Sequence, residues 1–109
     1  MKTITNQILK CRLISECSSP WLSPAILVKK KSGAYRLCVD YRKLSEITIR
    51  DEYTLPLIYS VLYELSGSTI FSTLDLHSGY WQVALDEAAK PKTAFCPGQG
   101  LPTYHFNAY

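Results

Sequence analysis

The stretch Ala25-Ile-Leu-Val-Lys-Lys-Lys-Ser-Gly-Ala-Tyr-Arg-Leu-Cys-Val39 decides how this chain starts to fold. Two runs rich in branched apolar residues flank Ser32-Gly33, a pair suited to reversing the backbone, so the segment predicts a β-hairpin with lysines at its tip. Its register stays open at this point. A two-residue loop would set Lys29 opposite Arg36, whereas a three-residue loop would set Lys30 opposite Arg36 on the same face.

Charge is concentrated on this hairpin. Between positions 29 and 43 stand Lys29, Lys30, Lys31, Arg36, Arg42 and Lys43 against Asp40 alone. The segment is therefore net +5, while the whole chain is only +3 and the remainder net −2. A cationic patch on a nearly neutral body is what a phosphate-facing surface requires, because clustered charge focuses potential locally. A solvated hairpin tip would carry the same residues.

Outward from the hairpin, Ile8, Cys11 and Leu13 or Ile14 follow a helical period over Asn6 to Ile14, with Asn6 as a candidate cap. Pro20 and Pro24 then force an extended path. Beyond the hairpin, Tyr41 to Ser45 predicts a helical turn. Pro56, Leu57, Ile58, Val61, Leu62 and Leu65 predict an amphipathic helix with proline in its first turn and Gly67 past its end. Thr69-Ile-Phe-Ser-Thr-Leu-Asp-Leu76 has the composition of a strand, and His77-Ser78-Gly79 turns the backbone. A second hairpin is expected from Gln82–Leu85 and Lys92–Phe95, before breaks at Pro97-Gly98 and Gly100-Leu-Pro102. The fold class is α+β.

An apolar fraction of 47% over 109 residues permits one ordinary core. The four cysteines form no CxxC pair and have two histidines for company, which excludes the usual zinc and dithiol spacings. They read as reduced thiols. His77 and His105 lack partners at diagnostic spacing and read as no metal ligand. No apolar run approaches the roughly 20 residues of a membrane span, and the N-terminus has no export-type apolar region. A soluble protein in the cytoplasm, with no membrane partner, is the expectation.

Asp75 closes an apolar strand pattern. A carboxylate there either caps the turn beginning at Leu76 or meets a cation or other donors. The two roles are separated by a wider pattern: Ser19-Pro-Trp-Leu-Ser-Pro-Ala-Ile-Leu-Val-Lys-Lys-Lys-Ser-Gly33, then Arg36-Leu-Cys-Val-Asp-Tyr-Arg-Lys-Leu44, then Phe71-Ser-Thr-Leu-Asp-Leu-His-Ser-Gly-Tyr80, then Lys92-Thr-Ala-Phe95. In this order and spacing, from about Leu13 to Phe106, the sequence resembles the fingers and first palm segment of reverse transcriptases, the RNA-directed DNA polymerases, of gypsy-type long-terminal-repeat retrotransposons.

The resemblance implies a partial right-hand polymerase fold with fingers hairpins and the first palm strand. Residues 1–68 would form the N-terminal helix, fingers hairpin and connecting helix, 69–83 the first palm segment around Asp75, and 84–109 a second, truncated fingers hairpin. It implies nucleotidyl transfer with two Mg2+ ions. Asp75 would be a catalytic metal ligand and Leu76 a ligand through its backbone carbonyl. Lys30 and Arg36 would grip the triphosphate, with Lys29 or Lys31 as stand-ins for Lys30. His77, Ser78 and Gly79 would form the turn at the nucleotide phosphates. Tyr80 would be the aromatic gate against a 2′-hydroxyl, a rejection by built-in clash. Asp40 and Arg42 would orient the template. The implied partners are an RNA or DNA template–primer and deoxynucleoside triphosphates.

The sequence departs from the family's pattern where the second metal motif, Tyr-x-Asp-Asp, should stand: no two aspartates are adjacent. The Met-Pro-Phe-Gly-Leu segment is also missing, and the match weakens after Phe95. Since one carboxylate cannot hold two dications, the expectation is a polymerase fragment that does not polymerise alone. A non-catalytic nucleic-acid- or protein-binding remnant of a retroelement, or a pseudogene product, is the alternative. The sequence sets no oligomeric state.

Overall fold

Helix α1 begins at Lys2, earlier than the Asn6 cap predicts, and ends at Lys10. Asn6 lies inside it, and the Thr5 hydroxyl donates back to the Met1 carbonyl at 3.1 Å. The end is set by Arg12, which takes a left-handed conformation at φ 56°. Its N–H donates to the Leu9 carbonyl at 2.9 Å and the next, from Leu13, to Ile8 at 3.3 Å. These two bonds form a Schellman closure, with arginine where glycine is usual. The computed structural model describes residues 1–109.

After α1 come β1 (Ile14–Glu16), β2 (Ser23–Lys29) and β3 (Tyr35–Val39), the short helix α2 (Arg42–Ile47), the helix α3 (Ile58–Glu64), a 3₁₀ turn at Gly79–Gln82, another at Lys90–Thr93, and the strands β4 (Phe95–Cys96) and β5 (Tyr104–Phe106). The α+β class is as expected. The five strands form one sheet in the order β1-β5-β4-β2-β3. The β2–β3, β1–β5 and β4–β5 pairs are antiparallel, and β2 runs parallel to β4.

The lysine-tipped hairpin forms, in a register that neither of the two anticipated pairings describes. Val28 stands opposite Arg36 and Lys29 opposite Tyr35. Lys30 N–H reaches the Ala34 carbonyl at 2.7 Å, and Gly33 N–H reaches the Lys30 carbonyl at 2.9 Å. Lys31, Ser32 and Gly33 are thus the loop, with Gly33 at φ 85°: a turn plus bulge in which the left-handed position demands glycine.

Two further expectations are corrected. Positions 69–76 have the composition of a strand but form none, because no other segment of the molecule offers them a ladder. The second hairpin is not Gln82–Leu85 with Lys92–Phe95. Phe95 pairs with Tyr104 across the Pro97–Pro102 breaks, which are its loop. Ala84 instead bridges Ala108, with Leu85 N–H to the Asn107 carbonyl at 3.0 Å and Tyr109 N–H to Val83 at 2.8 Å.

The core is small and lies under the sheet. Ile14, Phe95 and Tyr104 are buried, and Ile8, Leu9, Ala25, Leu37, Val39 and Phe106 pack on them. The Phe95 ring stacks on Phe106 at 5.1 Å between centroids and tilts against Tyr104 at 6.2 Å. From Ser45 to Ser78 every residue is exposed, so α3 and its flanks form an arm outside this core. The radius of gyration is accordingly 18.2 Å, against about 13 Å for a compact domain of this length. No helix is long and apolar enough to cross a membrane.

Candidate nucleic-acid and nucleotide interface

The basic tip is built by strand alternation. Because successive side groups change face, Val28 shares one face of the hairpin with its cross-strand partner Arg36, and Lys30, one residue past β2 with its N–H on the Ala34 carbonyl, follows Val28 onto that face. Lys30 and Arg36 are therefore diagonal neighbours on one face. Both are exposed, and neither has an acidic partner or a side-group hydrogen bond. Lys29 sits on the opposite face beside Tyr35, and Lys31 lies in the loop. A point charge and a planar fork directed to one side are suited to phosphate oxygens.

Asp40 and Arg42, by contrast, spend their charges on each other. Arg42 Nη2 lies 2.6 Å from Asp40 Oδ2, and Nε lies 2.9 Å from Oδ1. The Arg42 backbone N–H also donates to Oδ1 at 3.1 Å, so the carboxylate fixes the entry into α2. These hydrogen bonds from Arg42 hold the Asp40 carboxyl down at about 2. Between them in sequence, Tyr41 donates its hydroxyl to the Thr93 carbonyl at 2.7 Å, tying α2 to the 3₁₀ turn of Lys90–Thr93. Burial pushes its phenol well above the usual range.

Asp75 stands on the arm, exposed and without hydrogen bond or ion pair. Leu76 beside it is exposed as well. The turn after them is ordered by its own bonds. Ser78 adopts the left-handed conformation at φ 51°. His77 Nδ1 lies 3.1 Å from its hydroxyl. Gln82 Nε2 donates to the His77 carbonyl at 2.8 Å, and Trp81 N–H to Ser78 at 3.0 Å. Gly79 is packed close: a Cβ there would meet Leu76 Cβ at 3.2 Å. Tyr80 is 73% exposed, its ring tilted against Tyr109 at 5.4 Å.

No group of three or more histidine, cysteine, aspartate or glutamate residues is gathered where it could hold a metal. A hard dication needs several oxygen ligands, and Asp75 with the Leu76 carbonyl supplies only part of such a set. The residues of this protein alone do not fit a magnesium pair. The Glu87 carboxylate is committed to Lys90, whose hydrogen bond holds its pKa below the ordinary value.

A feature that motif reasoning misses is a groove of about 730 Å³ lined by Tyr41, Leu44, Trp81, Leu85, Phe106 and Tyr109 among others. Its walls come from α2, the turn after Asp75 and the C-terminal strand. No local pattern could announce it, since the lining residues are far apart in sequence.

Residues 28–105 match the family described as Reverse transcriptase (RNA-dependent DNA polymerase). The chain belongs to the reverse transcriptase family. Among its relatives is the retrovirus-related Pol polyprotein from transposon 297 of Drosophila melanogaster, 43% identical over 103 residues, which are 90% of this chain and 10% of that protein. The enzymatic polyprotein of Soybean chlorotic mottle virus is 44% identical over 97 residues, 84% of this chain and 14% of that one. In fold, this reverse transcriptase segment matches the foamy viral protease-reverse transcriptase solved in complex with dsDNA. That match has a TM-score of 0.77 at 20% identity, covering 98% of this chain and 22% of the other. The native prototype foamy virus protease-reverse transcriptase gives a TM-score of 0.75 at 22% identity, covering 99% and 14%. The chain is thus a short reverse transcriptase segment spanning about a tenth to a seventh of these polyproteins.

Proposed function

We propose that this protein is the fingers and opening palm segment of an RNA-directed DNA polymerase of the gypsy-type long-terminal-repeat retrotransposon lineage. Its own contribution is to bring a basic hairpin to a template–primer and its incoming deoxynucleotide. The observation that carries this reading is that Arg36 on β3 and Lys30 at the mouth of the hairpin loop are both exposed on the β2–β3 hairpin with no acid to neutralise them. Asp40 and Arg42, locked to each other, hold the base of the fingers rather than compete for phosphate.

On the arm, Asp75 supplies one carboxylate, and the Leu76 carbonyl one backbone ligand, to a magnesium site whose other ligands lie outside these 109 residues. Ser78 and Gly79 in the turn after it present backbone N–H groups toward phosphate, with His77 packed beside them. Tyr80, with most of its ring open, lies beneath the sugar and excludes a 2′-hydroxyl. The relatives include both a transposon Pol polyprotein and plant virus polyproteins, and a genomic frame that runs on through Pro-Phe-Gly-Leu to Tyr-x-Asp-Asp would support a polymerase over a non-catalytic remnant.

The test is equilibrium binding of the 109-residue protein to an RNA–DNA template–primer duplex across a salt series. Phosphate contacts release counterions, so the log–log slope counts them. Lys30→Ala and Arg36→Ala should each weaken binding and make the slope shallower by about 1. An affinity and slope unchanged in both variants would remove this function from the hairpin.

A further inference from the structure

The lysine loop holds a serine that neither the fold nor the proposed function uses. Five serines or threonines of this chain have a lysine or arginine three residues upstream: Thr5, Ser15, Ser32, Ser45 and Thr93. Four of them are closed to a visiting enzyme. Thr5 is buried, the Ser15 hydroxyl accepts the Asn107 amide at 2.8 Å, and the Thr93 hydroxyl is held between the Lys90 carbonyl and the Phe106 N–H. Ser45 lies inside α2 with its N–H on the Tyr41 carbonyl, Glu46 follows it, and its upstream cation Arg42 is bound to Asp40. Ser32 differs on every count. It is exposed at the middle of the Lys31–Gly33 loop, no hydrogen bond engages its hydroxyl, and lysines stand one, two and three residues before it.

We propose that Ser32 is a phosphorylation site for a serine kinase that reads basic residues ahead of its target, and that its phosphate occupies Lys30 and Arg36 and so withdraws them from nucleic acid. Kinases select substrates partly by charge pattern, and nothing here opposes an acidic substrate groove, since no acid stands between Lys29 and Val39. The kinase requires the loop to be drawn out. Only two backbone hydrogen bonds close it, Lys30 N–H to the Ala34 carbonyl and Gly33 N–H to the Lys30 carbonyl. They lie at the free, solvent-facing end of the hairpin, where local opening costs least. In the transfer, Ser32 Oγ bonds to the γ-phosphorus of ATP and the bond from that phosphorus to the β–γ bridging oxygen breaks. ADP leaves with that electron pair, and the hydroxyl proton passes to the kinase's base.

The phosphate then acts on its own hairpin. It brings about −1.5 to −2 charges and three acceptor oxygens, which lowers the +5 of positions 29–43 to about +3. Lys30 at the mouth of the loop and Arg36 on β3 have no acidic partner, so both are free to donate to it. Charge-assisted bonds of this kind order a loop and spend its cations. The consequence for nucleic acid rests on the function proposed above, whereas the site and its internal partners do not.

The experiment begins with the 109-residue protein, ATP and a basic-directed serine kinase, run beside an acid-directed one and mapped by mass spectrometry. The expected result is one phosphate, on Ser32, from the basic-directed kinase alone, lost in Ser32→Ala and kept in Ser45→Ala. Protein made with phosphoserine at position 32 is then titrated by phosphorus NMR. Its second ionisation should fall below the value of about 6 for a free phosphoserine, and should rise in Lys30→Ala and in Arg36→Ala. On the RNA–DNA duplex its salt slope should be shallower than that of the unmodified protein by about 2. Phosphate placed mainly on Ser45 or another residue, no uptake at all, or a second ionisation that neither alanine variant moves would overturn the proposal. So would a duplex affinity and slope that phosphorylation leaves unchanged while Lys30→Ala and Arg36→Ala alter them. Should those two substitutions leave duplex binding of the unmodified protein untouched while the phosphorus shift appears, the function proposed for the hairpin fails and the phosphorylation site stands.

Discussion

Arg12 carries a local cost that the rest of the fold imposes on it. Its left-handed conformation closes α1, and its carbonyl accepts the Asn107 amide at 3.0 Å. A non-glycine residue in that region costs about 1 kcal/mol, so Arg12→Gly should stabilise the fold by up to about that amount. The offset is the greater freedom glycine has when unfolded. Urea denaturation at matched m-values would read it, and a loss of stability would show that the arginine side group does something beyond ending the helix. Asp40 gives a second prediction. Its folded pKa is depressed to about 2 by Arg42, below the roughly 3.9 of an unfolded polypeptide. The ion pair's contribution is therefore present above about pH 4 and is lost as the pH falls through about 2. An NMR titration of the Asp40 carboxyl should give a midpoint near 2, rising toward the ordinary value in Arg42→Ala. Neither residue's environment was legible in the sequence, because Arg12 owes its conformation to a closure set by its helix and Asp40 owes its shift to one rotamer of a neighbour.

At the scale of elements, legibility follows the distance between partners. The hairpin of β2 and β3 was readable because both strands and their turn lie within one short window. Even there, the Gly33 bulge moved Arg36 opposite Val28 instead of a lysine. The helix after Pro56 was readable from its own period and forms as α3 over Ile58–Glu64, but Leu57 is its cap, so Pro56 stands before the helix and not in its first turn, and no face of it is buried. Strand composition at 69–76 was also correct as composition, yet a strand is a relation between two segments, and this one lacks its second. The pairing of Phe95 with Tyr104 was missed for the converse reason: the proline and glycine cluster that looked like an end of structure is the loop of a hairpin. Gly33 tests how far the turn governs the tip. Space around it is open, with no atom within 4 Å of an added Cβ, but its φ is 85°. Gly33→Ala should therefore cost about 1 kcal/mol through backbone strain alone. The measurement is again chemical denaturation, and a neutral result would mean that the tip relaxes to another turn without penalty.

For the whole molecule, the division between body and arm fixes where stability resides. Phe95, fully buried, touches Tyr104 and Phe106 and sits where β4 joins β2 to β5, so the sheet has a single aromatic keystone. Replacing such a ring with alanine costs about 3–5 kcal/mol. That equals most of what a core this small can supply. Phe95→Ala should therefore abolish the cooperative thermal transition, not merely lower it. Leu62, on the exposed arm, gives the contrast: at 57% exposure it has little to lose. Leu62→Lys should keep the unfolding free energy within about 0.5 kcal/mol of the parent. Parallel melts followed by far-ultraviolet dichroism decide between this division and a uniformly stabilised molecule. Equal destabilisation by the two substitutions would mean that α3 packs on the body in solution. The Lys30 and Arg36 tip would then share a rigid frame with Asp75, which no hydrogen bond or ion pair now provides.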